Sequence, residues 1–344
     1  MTAPTVFDSR LAAWPDSRLA ADSHSRLAAG PDSRLAADSP SRLAAGLDSR
    51  LAADSHSRLA EGDWLERERA HLTRVDAFLQ PHLARRRAGV AHPVYDFLFT
   101  YYSLRPRQLR VWHPGFGVVL GGPGARRYLS RAGYTQTNDG VTVSREYLHG
   151  RADTVRFIAD LLAATAARPP RFNCFGLHEW AMVYRSPTLR HQSVPLRLGA
   201  DGTDAVVESM PLRCTHFDAY RFFTEPAARR NASHLTRSGQ VDAEQPGCVH
   251  AGMDLYKWAF KLGPLVESEL VLACLDLAVD ARVLDMRASP YDLRGYGFAP
   301  IAVETSGGRR EYARGQLELT ERAGPLRAAL LDRCTELVGT ATGE

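Results

Sequence analysis

The stretch Glu244-Gln-Pro-Gly-Cys-Val-His-Ala-Gly-Met-Asp-Leu-Tyr-Lys-Trp-Ala-Phe-Lys-Leu262 sets the reading of the fold. After the Pro246-Gly247 breaker nothing interrupts a helix from about Ala251 to Leu262. His250, Asp254, Lys257 and Lys261, spaced by three and four, then fall along one side of it. Outward from this segment, helices are predicted at about Ala152 to Ala167, Val266 to Leu277 and Arg309 to Leu337. Another is expected from Trp64 toward Arg87, N-capped by Asp63 and interrupted near Pro81. A helical face is expected at Val94, Phe97, Leu98, Tyr101 and Tyr102, and a short helix with Pro106 in its first turn, stopped at Pro114-Gly115. Phe116 to Leu120 and Tyr134 to Ser144, with Asp139-Gly140 as turn residues, predict short hairpin strands. Leu212 to Phe223 and Ala299 to Thr305 also read as strands. The expectation is α+β, predominantly helical: a single globular domain over residues 63–344 with short strands.

In front of it, over residues 1–62, Ser-Arg-Leu recurs at Ser9, Ser17, Ser25, Ser33, Ser41, Ser49 and Ser57. An eight-residue period drifts around a helix, so the leucines form no apolar stripe, and a low-complexity tail is expected. This octapeptide repeat carries seven arginines against seven aspartates and Glu61, leaving the rest of the chain at a net +5. Such a balance permits a polyanionic partner without demanding one.

The chain is 44% hydrophobic and 24% charged, enough to bury a core. It has no apolar run long enough for a membrane span and no secretory signal, so a cytoplasmic protein with no membrane and no obligate protein partner is expected. Cys174, Cys214, Cys248, Cys274 and Cys334 are odd in number and never in a C-x-x-C pair, which predicts free thiols. Phosphate loop, dinucleotide turn, nucleophile elbow and zinc deaminase patterns are missing, which removes the reactions they serve.

Four segments concentrate chemistry. Phe172 to Tyr184 holds Asn173, Cys174, His178, Glu179 and Trp180. His178-Glu179 opens like a zinc protease helix, but Met182 stands where the second histidine is needed. In an extended Leu212 to Phe223, His216 and Asp218 would share a face, where a carboxylate orients an imidazole. In the third segment, Lys257 and Lys261 are the two lysines among 43 basic residues, so a compact ammonium is expected to matter there. Arg105, Arg107, Arg110, Arg126 and Arg127 lie near Tyr101, Tyr102, Trp112 and His113 in sequence, and a fourth segment, Leu284 to Leu293, supplies Asp285, Arg287 and Tyr291. Arginines beside rings suit a groove for phosphates and stacked bases.

From about Trp64 to Arg327 the chain resembles an actinobacterial family labelled 3-methyladenine DNA glycosylase. The likeness is carried by HPVYDFLFTYYS (92–103), RPRQLRVWHPG (105–115), FNCFGLHEWAMVY (172–184), CTHFDAYRFF (214–223), EQPGCVHAGMDLYKWAFKL (244–262) and LDMRASPYDL (284–293). The resemblance implies hydrolysis of the N-glycosidic bond of an alkylated purine flipped out of double-stranded DNA, with no cofactor. Leu120 to Leu129 and the Ile301 to Thr305 stretch are similar only to fragments of the two known glycosylase designs, so no catalytic residue transfers by motif. On chemistry, Asp254 or Asp218 is expected to activate water, with His178 or His216 as acid/base beside Glu179, and Lys257 as electrostatic or covalent helper. Tyr101, Tyr102, Trp112, His113, Arg110, Trp180 and Arg287 are expected to bind substrate. Two alternatives stand beside this: a metal-dependent or metal-free enzyme acting on a small molecule, with any metal held by some of His178, His216, His250, Asp218 and Asp254, and a non-catalytic DNA- or partner-binding protein.

Overall fold

In the computed structural model, which describes residues 57–102, 105–187 and 194–342, the 244–262 segment is the central helix. Helix α3 (Val249–Leu262) buries all but three of its residues, as expected of a segment apolar on every side but one. It turns at Gly263, whose φ of 60° suits glycine, into α4 (Ser268–Arg287). Helices α2 (Ala152–Ala166) and α5 (Ser306–Thr342) pack against this hairpin, and α1 (Glu61–Arg87) lies against α4. All described residues fall in one compact unit, predominantly helical α+β. No helix among them is long and apolar enough to cross a membrane.

The small sheet runs β1-β2-β4-β3, with β1 (Arg58–Leu59), β2 (Val119–Leu120), β3 (Tyr134–Thr137) and β4 (Gly140–Val143). β1 is parallel to β2 and the other pairs are antiparallel. Thr137 pairs with Gly140, so the turn residues are Asn138-Asp139, one position before the expected pair. Arg58 and Leu59 belong to the last repeat copy, which therefore forms the sheet edge. Gly121 N donates to Leu59 O, and Glu61 accepts from Gly124 N at 2.8 Å. The earlier copies lie outside the described residues.

Several expectations need correction. Helix α1 starts at Glu61 with Asp63 inside its first turn, and it runs through Pro81 as α5 runs through Pro325. Both prolines are exposed, so the carbonyls they leave unbonded can be hydrated. The aromatic segment is helical only over Phe97–Thr100, and the Pro106 helix stops at Leu109. Residues 212–223 form no strand, because the Asn231 side chain takes the partner's place. Cys214 N donates to Asn231 Oδ1 at 2.8 Å, Asn231 Nδ2 donates to Cys214 O at 3.0 Å, and the chain then coils into a helical turn, Phe217–Tyr220. Residues 299–305 are a linker in which Arg197 grips Glu304 at 2.8 and 2.9 Å.

Arg327, on α5, is 3% exposed, and its Nε and Nη2 have no partner among the described residues. A buried cation with two unbonded nitrogens opposes folding, so Arg327→Met is expected to be neutral or to stabilise by about 1–3 kcal/mol, read from thermal unfolding. A clear loss of stability would show that the guanidinium is solvated or paired in solution.

Candidate functional site

Helix α3 carries His250 in its first turn and Asp254 and Lys257 one and two turns on, facing the ends of three other segments. His178 and Glu179 come from the short helix Leu177–Ala181, His216 and Asp218 from the Phe217–Tyr220 turn, and Arg282 and Asp285 from α4. Together they form one buried polar cluster. His178, Glu179, His216, Asp218, His250, Asp254, Arg282 and Asp285 are each no more than 7% exposed.

The cluster has two charged halves. In the first, Lys257 Nζ donates to Asp218 Oδ2 at 2.6 Å and Asp254 Oδ2 at 2.9 Å, and Tyr102 OH donates to Asp254 Oδ1 at 2.9 Å. His216 lies between Glu244 (Nδ1 to Oε1, 3.1 Å) and Asp254 (Nε2 to Oδ2, 3.5 Å). Burial opposes the charge on His216 and Lys257, but the carboxylates outweigh it and hold both above their ordinary values. In the second half, Arg282 bridges Glu179 at 2.8 Å and Asp285 Oδ2 at 3.1 Å, while His178 Nε2 lies 2.6 Å from Asp285 Oδ1. That last pair is close but off the N–H line, so it is an ion contact rather than an aligned hydrogen bond. Burial again opposes the charge on His178, and Asp285 outweighs it, holding His178 well above the usual histidine range. Asp285 is held well below the carboxylate range against its own burial.

His250 sits between the halves. Its ring centre is 4.3 Å from His178 and 5.2 Å from His216, with which it stacks. Burial and then the charge of His178 push it well below the usual histidine range, and the N-terminal turn of α3 works in the same direction. The imidazolium form is thus disfavoured at His250 and favoured at the two histidines on either side of it.

A narrow cleft, with room inside for about one water, reaches this cluster, with His178, His250, Cys174, Cys214, Cys248 and Gln316 among its lining and the exposed Arg171 and Arg213 at its mouth. Gln245 Oε1 accepts from Arg171 N and from Gly247 N, each at 2.8 Å, and so joins its two walls. A Cβ at Gly247 would come within 2.8 Å of the Arg171 backbone, so the approach requires glycine.

His178, His250 and Asp285 place one ligand atom each within 4.8 Å of one another, and so do His216, Asp218 and Asp254. Such spacing suits a divalent cation, but Arg282 already lies against the first set and Lys257 against the second, which balances their charge. The expected trio of His178, His216 and His250 is therefore divided between two sets.

The expected site residues part company here. His178, Glu179, His216, Asp218, Asp254 and Lys257 are brought together. Tyr101 and Tyr102 reach the same cluster as hydrogen-bond donors, to Asp218 O at 3.1 Å and to Asp254, rather than as an open stacking surface. Trp112 and Trp180 are 0% exposed, with Nε1 donating to Glu269 and to Ala288 O, so they are core residues and not stacking platforms. His113 Nδ1 contacts Tyr134 OH at 2.8 Å, Arg110 pairs with Asp76 at 2.7 Å, and Arg287 binds Ala299 O and Glu311. None of these three is part of the cluster or the cleft. Arg127 is likewise paired, with Glu68, so part of the expected basic groove is neutralised. Sequence reasoning missed Glu244, Arg282 and the roles of Asp285, Cys174, Arg171 and Arg213. Arg282 and Asp285 had a signal, because Leu275, Ala278, Arg282 and Asp285 continue one core stripe of α4 at spacings of three and four.

Compared with known proteins, the chain matches no family, no curated protein and no solved structure.

Proposed function

We propose that this chain is an enzyme that performs acid–base chemistry on a small anionic molecule held in the cleft, with His178 as the acid and His250 as the base. The observation that carries this reading is the contact between His178 and His250 in the lining of the cleft, where the surroundings favour the charged form of the first and the neutral form of the second. Groups whose surroundings push their titrations apart divide the roles of donor and acceptor between them, one charged and one neutral at neutral pH. Among the described residues, Arg171 and Arg213 at the mouth have no carboxylate partner for their side chains, so the cleft favours an anion.

A second reading, N-glycosidic hydrolysis of an alkylated purine, is favoured by the same two arginines, which would meet the phosphates flanking an extruded nucleotide. Asp254 and Asp218 are locked against Lys257, so in that reaction too the proton transfers would fall to the histidines.

The test is turnover of anionic esters and amides, with free-base release from alkylated duplex DNA as a parallel arm, by wild type, His178→Gln and His250→Gln. Each variant is expected to lose at least ~100-fold in kcat. The wild-type pH profile should be bell-shaped, with an acid limb from protonating His250 and an alkaline limb from deprotonating His178. Arg171→Gln and Arg213→Gln should raise KM. Hydrolysis of small molecules alone supports the first reading and base release the second; undiminished turnover in both histidine variants would sink the acid–base assignment.

A further inference from the structure

We propose that Cys174 is a nucleophile in a Cys174, His178, Asp285 triad, and that the cleft acts on a small amide carrying an anionic group through a covalent thioester. This rests on the acid–base reading of His178 and His250 and names the substrate class.

The side chains stand in the order of a nucleophile, its base and a carboxylate that holds the base's charge, here by ion contact rather than by an aligned hydrogen bond. Cys174 Sγ is 3.8 Å from His178 Nδ1, and the opposite nitrogen of the same ring faces Asp285 Oδ1 at 2.6 Å. Asp285 is fixed in turn by Arg282, whose other partner, Glu179, adjoins His178 on the same helical turn. Of the three thiols lining the cleft, burial pushes those of Cys214 and Cys248 up, and Cys214 is spent on His216 O at 3.5 Å. Cys174 is half-buried and has the imidazole partner.

The backbone presents it. Phe175, directly after the cysteine, has a φ of 50°, a left-handed conformation that costs a bulky residue energy, and Gly176 follows at 71°. A Cβ at Gly176 would press on Ala288 and Tyr312. This tight turn brings His178, four residues on, against the sulfur.

A separate observation points to a ligand. Gln316 is 1% exposed, lines the cleft, and its Oε1 has no partner among the described residues, while its Nε2 donates to Gly247 O at 2.6 Å and so fixes the orientation of the amide. An acceptor waiting at the cleft wall calls for an N–H donor, and the mouth arginines call for an anion. An amide with a carboxylate has both.

In the reactive form the proton shared by Sγ and Nδ1 lies on Nδ1. The sulfur lone pair bonds to the amide carbonyl carbon, and the carbonyl π pair moves to oxygen. Collapse breaks the C–N bond, and the amine leaves with the proton from His178, so a thioester to Cys174 remains. Water then gives a proton to His250 as it attacks that carbonyl, the C–S bond breaks, and the thiolate recovers a proton from His250 as the acid departs.

The experiment uses mono-p-nitrophenyl succinate, an activated acyl donor with a carboxylate, on the full chain, with intact-protein and peptide mass spectrometry. One succinyl group is expected on Cys174 of the wild type, with release of p-nitrophenolate. It should be absent in Cys174→Ala, formed more slowly from the uncharged p-nitrophenyl butyrate, and longer-lived in His250→Gln because water is no longer activated. Circular dichroism checks that each variant is folded, and Cys174→Ser, which keeps the shape, should turn over anionic amides at least ~100-fold more slowly than wild type. No adduct on Cys174 overturns the proposal. So does wild-type turnover in Cys174→Ala; if His178→Gln and His250→Gln are then inactive, the acid–base reading stands without the covalent step.

Discussion

In Lys257→Met the thermal midpoint is expected to fall by about 6–20 °C, since removing one member of a buried ion set costs ~3–5 kcal/mol and each kcal/mol is worth ~2–4 °C in a chain of this size. The ammonium lies between two carboxylates whose side chains are 5% and 2% exposed. Without it, Asp218 keeps Arg221 and Arg237, each at 3.2 Å, but Asp254 keeps only His216 at 3.5 Å and the Tyr102 hydroxyl. Asp254→Asn should therefore recover part of the loss in the double variant, whereas Asp218→Asn should recover less. Lys257→Arg keeps the charge but forces a larger planar group into a closed site, so an intermediate cost and impaired activity are expected. Lys261→Arg should behave as wild type, because Lys261 lies over Trp258 at 5.7 Å and makes no ion pair among the described residues. A wild-type midpoint in Lys257→Met would mean that the carboxylates are protonated or hydrated and the ion set is not what holds this region.

The residue types around Lys257 explain how much of the site was legible. Of the two lysines in this arginine-rich chain, Lys257 bridges two carboxylates, while Lys261 makes no ion pair among the described residues. His216 and Asp218 were linked for the wrong reason. They do not share a strand face, because the segment coils at Phe217, yet both turn toward α3 and end in one cluster. Side-chain periodicity presupposes the secondary structure, and here an asparagine amide in place of a partner strand undid the presupposition. Glu244 had no signal at all, since it follows a four-residue helix and is buried only because α3 begins beside it.

The aromatic residues erred in the other direction. A tryptophan in a sequence says that a large ring must go somewhere, and the core takes it whenever its N–H finds an acceptor, as Trp64, Trp112 and Trp180 all do. The same holds for arginines near rings. Arg110 and Arg127 looked like a phosphate groove in one dimension, but α1 supplies Asp76 and Glu68 from across the fold. The helices, by contrast, were readable to within a few residues at most ends, because long apolar periodicity is a local property. The shortfalls were α4, which runs ten residues past its expected end at Leu277, and the helix Gly199–Ser209, for which no helix was expected. The last turns of α4 carry charge that solvent would normally claim and that this fold buries.

Those last turns set the second large effect. Asp285→Asn should destabilise by ~3–5 kcal/mol, because among the described residues it leaves the buried His178 with no carboxylate against it and Arg282 with Glu179 as its one carboxylate. Its pH signature separates it from a packing defect. His178 is raised above 6.5 in the folded chain, so its contribution is full below 6.5 and is lost as pH rises through the folded value. Asp285 is lowered below 3.8, so its contribution is present above 3.8 and is lost as pH falls through the folded value. The pair therefore supports the fold most between about pH 4 and 6.5, and stability should decline on the alkaline side of that window. His250 acts oppositely: lowered from 6.5, it contributes above 6.5 and loses that contribution as pH falls. Asp285→Asn removes the reason for His178 to stay charged, so the alkaline decline should flatten while the acid-side decline owed to His250 persists. Denaturant unfolding from pH 5 to 9 reads both limbs. If the mutant curve ran parallel to wild type, merely displaced downward, Asp285 would be acting through packing alone, and the opposite charging of His178 and His250 would lose its electrostatic cause.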